Sequence, residues 1–145
     1  SKKFDSISMW HALEHIDNLE ETVQLLSNML SKNGRLVVAV PNHESWDAKY
    51  YKEYWAAWDV PIHLWHFSEK TITALFKKHG FKKINTKQMF WDAYYVSLLS
   101  EKYKKSKLCL IKAIVVGTIS NLFGIFSQNG CSSKIYIFEN QFKAF

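Results

Sequence analysis

The chain has 145 residues, of which 48% are hydrophobic and 22% charged, so it can bury one globular core and is not a disordered segment. Its two cysteines, Cys109 and Cys131, exclude a disulfide framework and favour a reducing, cytoplasmic location. The net charge of +6 comes from lysine, since Arg35 is the only arginine. Nucleic acid is therefore a disfavoured partner, because its bidentate contacts are made mainly by arginine.

The first predicted element is a short apolar strand, Phe4 to Trp10, which is followed at once by the sequence His-Ala-Leu-Glu-His. Two imidazoles and a carboxylate directly after a strand are typical of the rim of an active site. A helix is predicted to begin at Asn18, with Glu21 completing a capping box. We expect Asn33 and Gly34 to end this helix in a left-handed turn.

The remaining elements alternate between strand and helix. Arg35 to Val40 is a continuous apolar run, as in a strand covered on both faces. A helix from Ser68 to Gly80 and a strand from Phe81 to Met89 follow. Lys134 to Phe138 alternates as a half-exposed edge strand does. This order predicts one α/β domain, residues 1–145, with a largely parallel sheet.

Two segments exceed that plan. The connection 43–67 is rich in aromatic residues at helical spacing, which fits either a packed face or a lid over a bound acceptor. The segment 92–130 contains an apolar stretch from Leu108 to Phe126 that is long enough to be mistaken for a transmembrane span. The strands on either side must pair in one sheet, which argues against a single crossing. A packed helix, a dimer interface and peripheral membrane contact beside the preceding lysines remain open.

Polar side chains collect after the strands, where ligands of open α/β sheets bind. His11, Glu14 and His15 follow the first strand, and Asn42 and His43 follow the second. The loop 58–66 returns to the same edge and carries Trp58, His63 and His66. These side chains are the candidate site.

Three stretches resemble the second half of class I S-adenosylmethionine (SAM)-dependent methyltransferases. They are FDSISMWHALEHIDN, LSKNGRLVVAVPN and WDVPIHLWHFSEKTITALFKKHGF, and they resemble the broad group that includes the ubiquinone-biosynthesis O-methyltransferases. The resemblance implies a partial Rossmann-like sheet, strands four to seven of the full fold, with the last strand antiparallel between its two predecessors. It also implies methyl transfer, on oxygen, to a small-molecule, lipid-linked or glycan acceptor.

Roles can be assigned to the candidate residues on this basis. Methyl transfer requires a group that takes the acceptor's proton, and histidine suits that task. The expected catalytic residues are His11, His15 and His63. The residues expected to face the cofactor are Met9, Trp10 and His11, and those expected to bind the acceptor are Asn42, His43, Trp58 and His63. By the same resemblance, Glu14 and His15 would hold a divalent metal, although a capping or structural role for them remains open.

The family's glycine-rich loop is absent from the sequence, since none of the five glycines forms a G-x-G motif. We therefore expect SAM to bind weakly to this chain alone and an N-terminal cofactor-binding half to complete the enzyme. Without that half, Ser6 to Trp10 would have an unpaired edge, which predicts a homo-oligomer. The competing hypothesis is a non-catalytic α/β module that self-associates through this strand and the apolar helix.

Overall fold

The computed structural model describes residues 3–127 and 130–141. In these residues, four strands form one sheet and five α-helices surround it. The strands are β1 Phe4–Trp10, β2 Leu30–Pro41, β3 Phe81–Gln88 and β4 Ser133–Asn140. The helices are α1 Leu19–Met29, α2 Trp46–Tyr51, α3 Glu69–Lys78, α4 Phe90–Tyr103 and α5 Cys109–Phe126.

The strand order is β1-β2-β4-β3, with β1 parallel to β2 and β4 antiparallel to both of its neighbours. The antiparallel insertion of the last strand is confirmed, and the edge position predicted for it is wrong. Tyr136 and Phe138 of β4 are buried in the main core, while Ile135, Ile137 and Glu139, which alternate with them, are only half-buried. The alternation therefore reflects unequal cover on the two faces of an interior strand.

The ends of the predicted elements follow local chemistry only in part. α3 begins as predicted, because Ser68 and Thr71 form a reciprocal capping box. α1 has no side-chain cap, and it ends at Met29 rather than at Asn33-Gly34. Leu30 already belongs to β2 and is buried, so core packing ends the helix early and leaves Asn33 with a φ of 63° inside the strand.

A second core lies between the aromatic connection and helices α4 and α5. Tyr51 and Trp55 are each only 1% exposed and pack with Val96 and Val116 there. Other rings of the connection, such as Tyr50, remain about half exposed. The segment is thus a short helix and two 3-10 turns with a packed inner face.

Buried Asp47 joins three parts of this second core. Its carboxylate accepts hydrogen bonds from the Trp55 indole at 2.7 Å, the Ser120 hydroxyl at 2.7 Å and the Ser132 hydroxyl at 2.8 Å. These donors lie in the aromatic connection, in α5 and just before β4. The three donors balance the burial of the charge, because a buried carboxylate needs hydrogen bonds to replace water.

Helices α4 and α5 pack against each other as a hairpin between β3 and β4. Gly117 permits their close approach, because a Cβ there would lie 2.7 Å from a ring carbon of Tyr94. The amide of Met89 donates to the carbonyl of Ser133 at 3.1 Å, which fixes the base of the hairpin to the sheet. The hairpin therefore begins at the carboxyl end of β3, near the ends of β1 and β2.

Candidate functional site

The chain turns sharply after β1, and the turn positions the first two candidate side chains. His11 has a φ of 46°, and its amide donates to the carbonyl of Ala39 in β2 at 3.0 Å. A single 3-10 turn, Leu13–His15, follows and buries Glu14 completely. The left-handed residue is thus where the backbone leaves the sheet and re-aims the imidazole.

His11 lies between two carboxyl groups. Its Nδ1 is 3.2 Å from Oε1 of Glu14, and its Nε2 is 4.0 Å from Oδ2 of Asp92 in α4. Because a carboxylate only accepts, Nδ1 carries the proton and the Nε2 lone pair of the neutral ring remains. Nε2 is buried, and among the described residues it has no hydrogen-bond partner. This is the arrangement of an oriented general base.

The surroundings move the pKa values of this pair in defined directions. The hydrogen bond to Glu14 raises the pKa of His11 above 6.5, against the lowering effect of burial, and the charge of Asp92 adds to the increase. Burial raises the pKa of Asp92, although it accepts a hydrogen bond from the Ser133 hydroxyl. His11 therefore holds its proton more tightly than a solvated imidazole does.

A cavity of about 250 Å³ opens beside His11. Its polar lining consists of His11, Asp59, His63 and Asp92, and its apolar wall includes Val96. The other lining residues are Pro41, Ala56, Ala57, Tyr95 and Leu99. Three parts of the chain thus meet at one pocket: the end of β1, the loop that precedes α3, and helix α4. This is the position expected at the carboxyl ends of parallel strands.

A second cluster adjoins the first on the side of the loop. Glu14, His15 and His63 each offer one ligand atom, and these atoms lie within 4.8 Å of one another. Nδ1 of His15 donates to the carbonyl of Ile62 at 3.2 Å, and Nδ1 of His63 donates to that of Ala57 at 2.8 Å. The Nε2 atoms are then the possible ligand atoms, that of His63 lying 4.0 Å from Oδ2 of Asp59, and backbone carbonyls commonly orient metal-binding histidines in this way.

The Glu14, His15 and His63 cluster does not include His11, although His11 precedes His15 by four residues. His15 instead contacts His63, with ring centroids 4.7 Å apart. The reason is the left-handed backbone at His11, which breaks the helical i, i+4 relation before it starts.

The residues expected to face the cofactor do not lie on one side of the sheet. Met9 packs against the main core, whereas Trp10 on the opposite face is 53% exposed. All five glycines lie in described residues, and none follows the carboxyl end of β1 or β2. Of the three, Trp10 and the partly exposed His11 are therefore accessible, and the residues described here include no glycine-rich loop after β1 or β2.

Three of the residues expected to bind the acceptor lie outside the cavity lining. Asn42 is buried, and its side-chain amide donates to the carbonyl of Cys131 at 3.1 Å. Trp58 donates to the carbonyl of Lys52 at 2.7 Å and lies beside His43, with ring centroids 6.3 Å apart. Asn42 and Trp58 thus form hydrogen bonds that fix the loops behind the pocket, and of this set only His63 lines it.

Asp92 and Tyr95 are cavity residues that the sequence did not indicate. They lie some eighty positions after His11, in the first turns of α4. The only available signal was the acidic residue near the start of a helix directly after a strand.

Comparison with protein families gives a match over residues 1–86 to a family described as "Methyltransferase domain". The match covers β1 to most of β3 and so includes the His11–His15 turn and the loop of His63. A search of curated proteins finds no match.

Solved structures share the fold at low sequence identity. A SAM-dependent methyltransferase from Archaeoglobus fulgidus aligns with a TM-score of 0.56 and 15% identity, covering 96% of this chain and 60% of that one. The Haemonchus contortus phosphoethanolamine N-methyltransferase 2, in complex with S-adenosyl-L-methionine, aligns with a TM-score of 0.52 and 13% identity, covering 94% of this chain and 33% of that one. The [4+2]-cyclase SpnF aligns with a TM-score of 0.58 and 9% identity, covering 98% of this chain and 51% of that one.

This chain thus spans at most 60% of the length of these three structures. The cyclase shows that the fold alone does not determine the reaction. The family match, by contrast, covers more than half of the chain and includes the candidate site. The chain therefore belongs to the methyltransferase-domain family and has the fold of the class I SAM-dependent enzymes.

Proposed function

We propose that this chain forms the acceptor side of a SAM-dependent methyltransferase that methylates a hydroxyl oxygen. The observation that carries the proposal is the Nε2 atom of His11, which is buried beside the cavity and lacks a hydrogen-bond partner among the described residues. Glu14 holds the ring by its other nitrogen. A hydroxyl acceptor loses its proton during methylation, and Nε2 of His11 is placed to accept it.

The chemistry assigned to the chain is orientation and proton removal. When bound, SAM would supply a methyl group from its positively charged sulfur, with a neutral thioether as the leaving group. The acceptor oxygen forms the new carbon–oxygen bond as its proton passes to Nε2 of His11. Glu14 stabilises the resulting imidazolium through Nδ1, and Asp92 adds a second carboxyl group 4.0 Å from Nε2.

The size of the cavity limits what it can enclose. At about 250 Å³ it is smaller than the roughly 300–1,000 Å³ of most ligand pockets. It therefore fits the reacting end of an acceptor, with Val96 and Leu99 against an apolar part and His63 beside a polar one. The remainder of a small-molecule, lipid-linked or glycan acceptor would extend outwards.

The cofactor is proposed to bind between Trp10 and His11 and a second half of the sheet. Support comes from β1, which pairs only with β2 in the described residues and so presents a free edge. Support also comes from the length of the related structures, of which this chain spans at most 60%. We accordingly propose that SAM binds weakly to this chain alone.

The test is a methyl-transfer assay on the full-length protein with radiolabelled SAM and a panel of hydroxyl compounds. Replacing His11 by glutamine should reduce turnover by about 10²- to 10⁴-fold, as expected for loss of a general base. His43→Gln is the matched control, because His43 lies outside the cavity lining. Full activity in His11→Gln would contradict the proposal, and an absence of SAM binding would favour the non-catalytic module.

A bound divalent cation is a second proposal for the adjoining cluster. Glu14, His15 and His63 meet within 4.8 Å, and Oε2 of Glu14 is buried with no partner among the described residues. Titration with Zn²⁺ should raise the melting temperature of the protein and shift the imidazole NMR signals of His15 and His63. His15→Ala should remove the rise in melting temperature and the shift of the His63 signal, and His43→Ala should remove neither; identical responses in the two variants would contradict this site.

A further inference from the structure

The α4–α5 hairpin exposes a broad apolar surface, which we call the hairpin face. α5 is the single described helix that is long and apolar enough to cross a membrane, with a mean hydropathy of 1.9 and only 33% of its residues buried. The large apolar side chains of the hairpin face are each at least 47% exposed. They are Phe90, Trp91, Tyr95, Tyr103, Leu108, Leu110, Ile111, Ile114, Val115, Leu122, Phe123, Ile125 and Phe126.

The exposed charges of the hairpin itself, residues 90–126, are all positive. Lys102, Lys105, Lys107 and Lys112 are exposed at the tip of the hairpin and along the start of α5. The only carboxylates in residues 90–126 are those of Asp92 and Glu101. Their side chains are withdrawn from the surface, since Glu101 is 1% exposed and the Asp92 side chain 12%.

We propose that the hairpin face binds the surface of an anionic lipid bilayer. Apolar side chains with tryptophan, tyrosine and a lysine fringe match the interface between acyl chains and negatively charged headgroups. A second copy of this chain fits less well, because it would bring another lysine fringe and no exposed carboxylate from the same hairpin to pair with it.

The structure also restricts how the hairpin meets the bilayer. β3 and β4 flank the hairpin and pair in one sheet, so α5 cannot cross the membrane and leave the two strands on opposite sides. Insertion by the tip would carry the lysines of residues 102–107 into hydrocarbon, which is strongly unfavourable. The helices therefore lie in the plane of the interface, with the lysines among the headgroups.

Tyr95 connects the hairpin face with the candidate site. It is 62% exposed on α4 and also lines the cavity beside His11. Resting on the function proposed above, docking by this face would place the mouth of the cavity at the lipid surface. The acceptor class favoured by this geometry is a hydroxyl compound with a lipid anchor.

The proposal can be tested by flotation of the protein with vesicles. Binding to phosphatidylcholine vesicles containing phosphatidylserine should exceed binding to phosphatidylcholine alone by at least about tenfold, since each lysine near an anionic surface contributes about fivefold. High salt should abolish the difference. Equal flotation with both vesicle types, or none with either, would overturn the proposal.

Two double variants separate the contributions of charge and apolar contact. Lys105→Glu with Lys107→Glu should remove the preference for phosphatidylserine, and Trp91→Ser with Phe126→Ser should weaken all binding at least about tenfold. Leu25→Ser is the control, because Leu25 is 56% exposed on α1, outside the hairpin. Circular dichroism establishes that each variant is folded.

Light scattering of the same variants provides the outcome for a second copy. If Trp91→Ser with Phe126→Ser converts a dimer into a monomer and leaves flotation unchanged, the hairpin face is a contact between copies and the membrane proposal is wrong. Neither flotation nor light scattering depends on methyl transfer. Vesicle binding by a protein without methyltransferase activity would thus contradict the proposed function but not the docking.

Discussion

His11 shows how one backbone angle determines the chemistry of this site. It has a φ of 46°, and its imidazole lies between Glu14 and Asp92. The sequence indicated that His11 and Glu14 belong together, because they are three residues apart after a strand. It did not indicate Asp92, since that contact depends on how α4 packs over the end of the sheet.

The pH dependence of His11 follows from its partners. Its pKa is raised mainly by the Glu14 hydrogen bond, so the imidazole should titrate above 6.5 in NMR spectra. In Glu14→Gln this contribution is lost and burial lowers the pKa, so the midpoint should move down. The contribution of protonated His11 to the stability of the fold is complete below pH 6.5, the ordinary pKa of the unfolded state. It disappears as the pH rises through the higher pKa of the folded state. A base must be neutral, so turnover should rise over the same interval; an unchanged midpoint in Glu14→Gln would contradict this assignment.

At the scale of elements, the close packing of α4 on α5 depends on Gly117. A Cβ at this position would lie 2.7 Å from the Tyr94 ring and 3.1 Å from the Tyr94 Cα. Gly117→Ala should therefore lower the free energy of unfolding by about 1–3 kcal/mol, although alanine is the better helix former. Chemical denaturation checks this value, with exposed Lys112→Ala on the same helix as control. A stabilised Gly117→Ala would show that the helices are not in close contact.

Local signals predicted some elements well and failed where distant contacts decide. Ser68 and Thr71 form their cap within four residues, so the start of α3 could be read from the sequence. Asn33-Gly34 looked like a helix end, but Leu30 is drawn into the core and pairs with Phe4 of β1. The position of β4 came from the family resemblance, because alternation alone does not distinguish an edge strand from an interior strand with unequal cover.

At the scale of the whole molecule, the two edges of the sheet differ in how they resist pairing. β3 carries Lys82, Lys83 and Lys87, and such charges discourage association along an edge. β1 carries no lysine, and Phe4 and Trp10 are 45% and 53% exposed. The β1 edge is therefore the one that can pair with another strand, either from elsewhere in the full-length protein or from a second copy.

This chain, expressed by itself, should self-associate through β1. Light scattering should give a mass that increases with concentration, and Ser6→Lys with Ser8→Lys should return it to that of a monomer by placing like charges along the edge. Asn85→Lys on β3 is the control and should leave the mass unchanged. A monomer at all concentrations, with freely exchanging β1 amides, would contradict the prediction.

Asp47 gives the second core a mechanical role. Its carboxylate ties Ser120 of α5 to Trp55, and Trp55 directly precedes Ala56 and Ala57, which line the cavity. A buried, fully bonded carboxylate resists rearrangement, because each lost hydrogen bond exposes charge to an apolar interior. If α5 is displaced at a lipid surface, the hydrogen bonds of Asp47 to Ser120 and Trp55 transmit the displacement to Ala56 and Ala57 in the cavity wall. The membrane would then not only deliver an acceptor but also adjust the shape of the pocket that receives it.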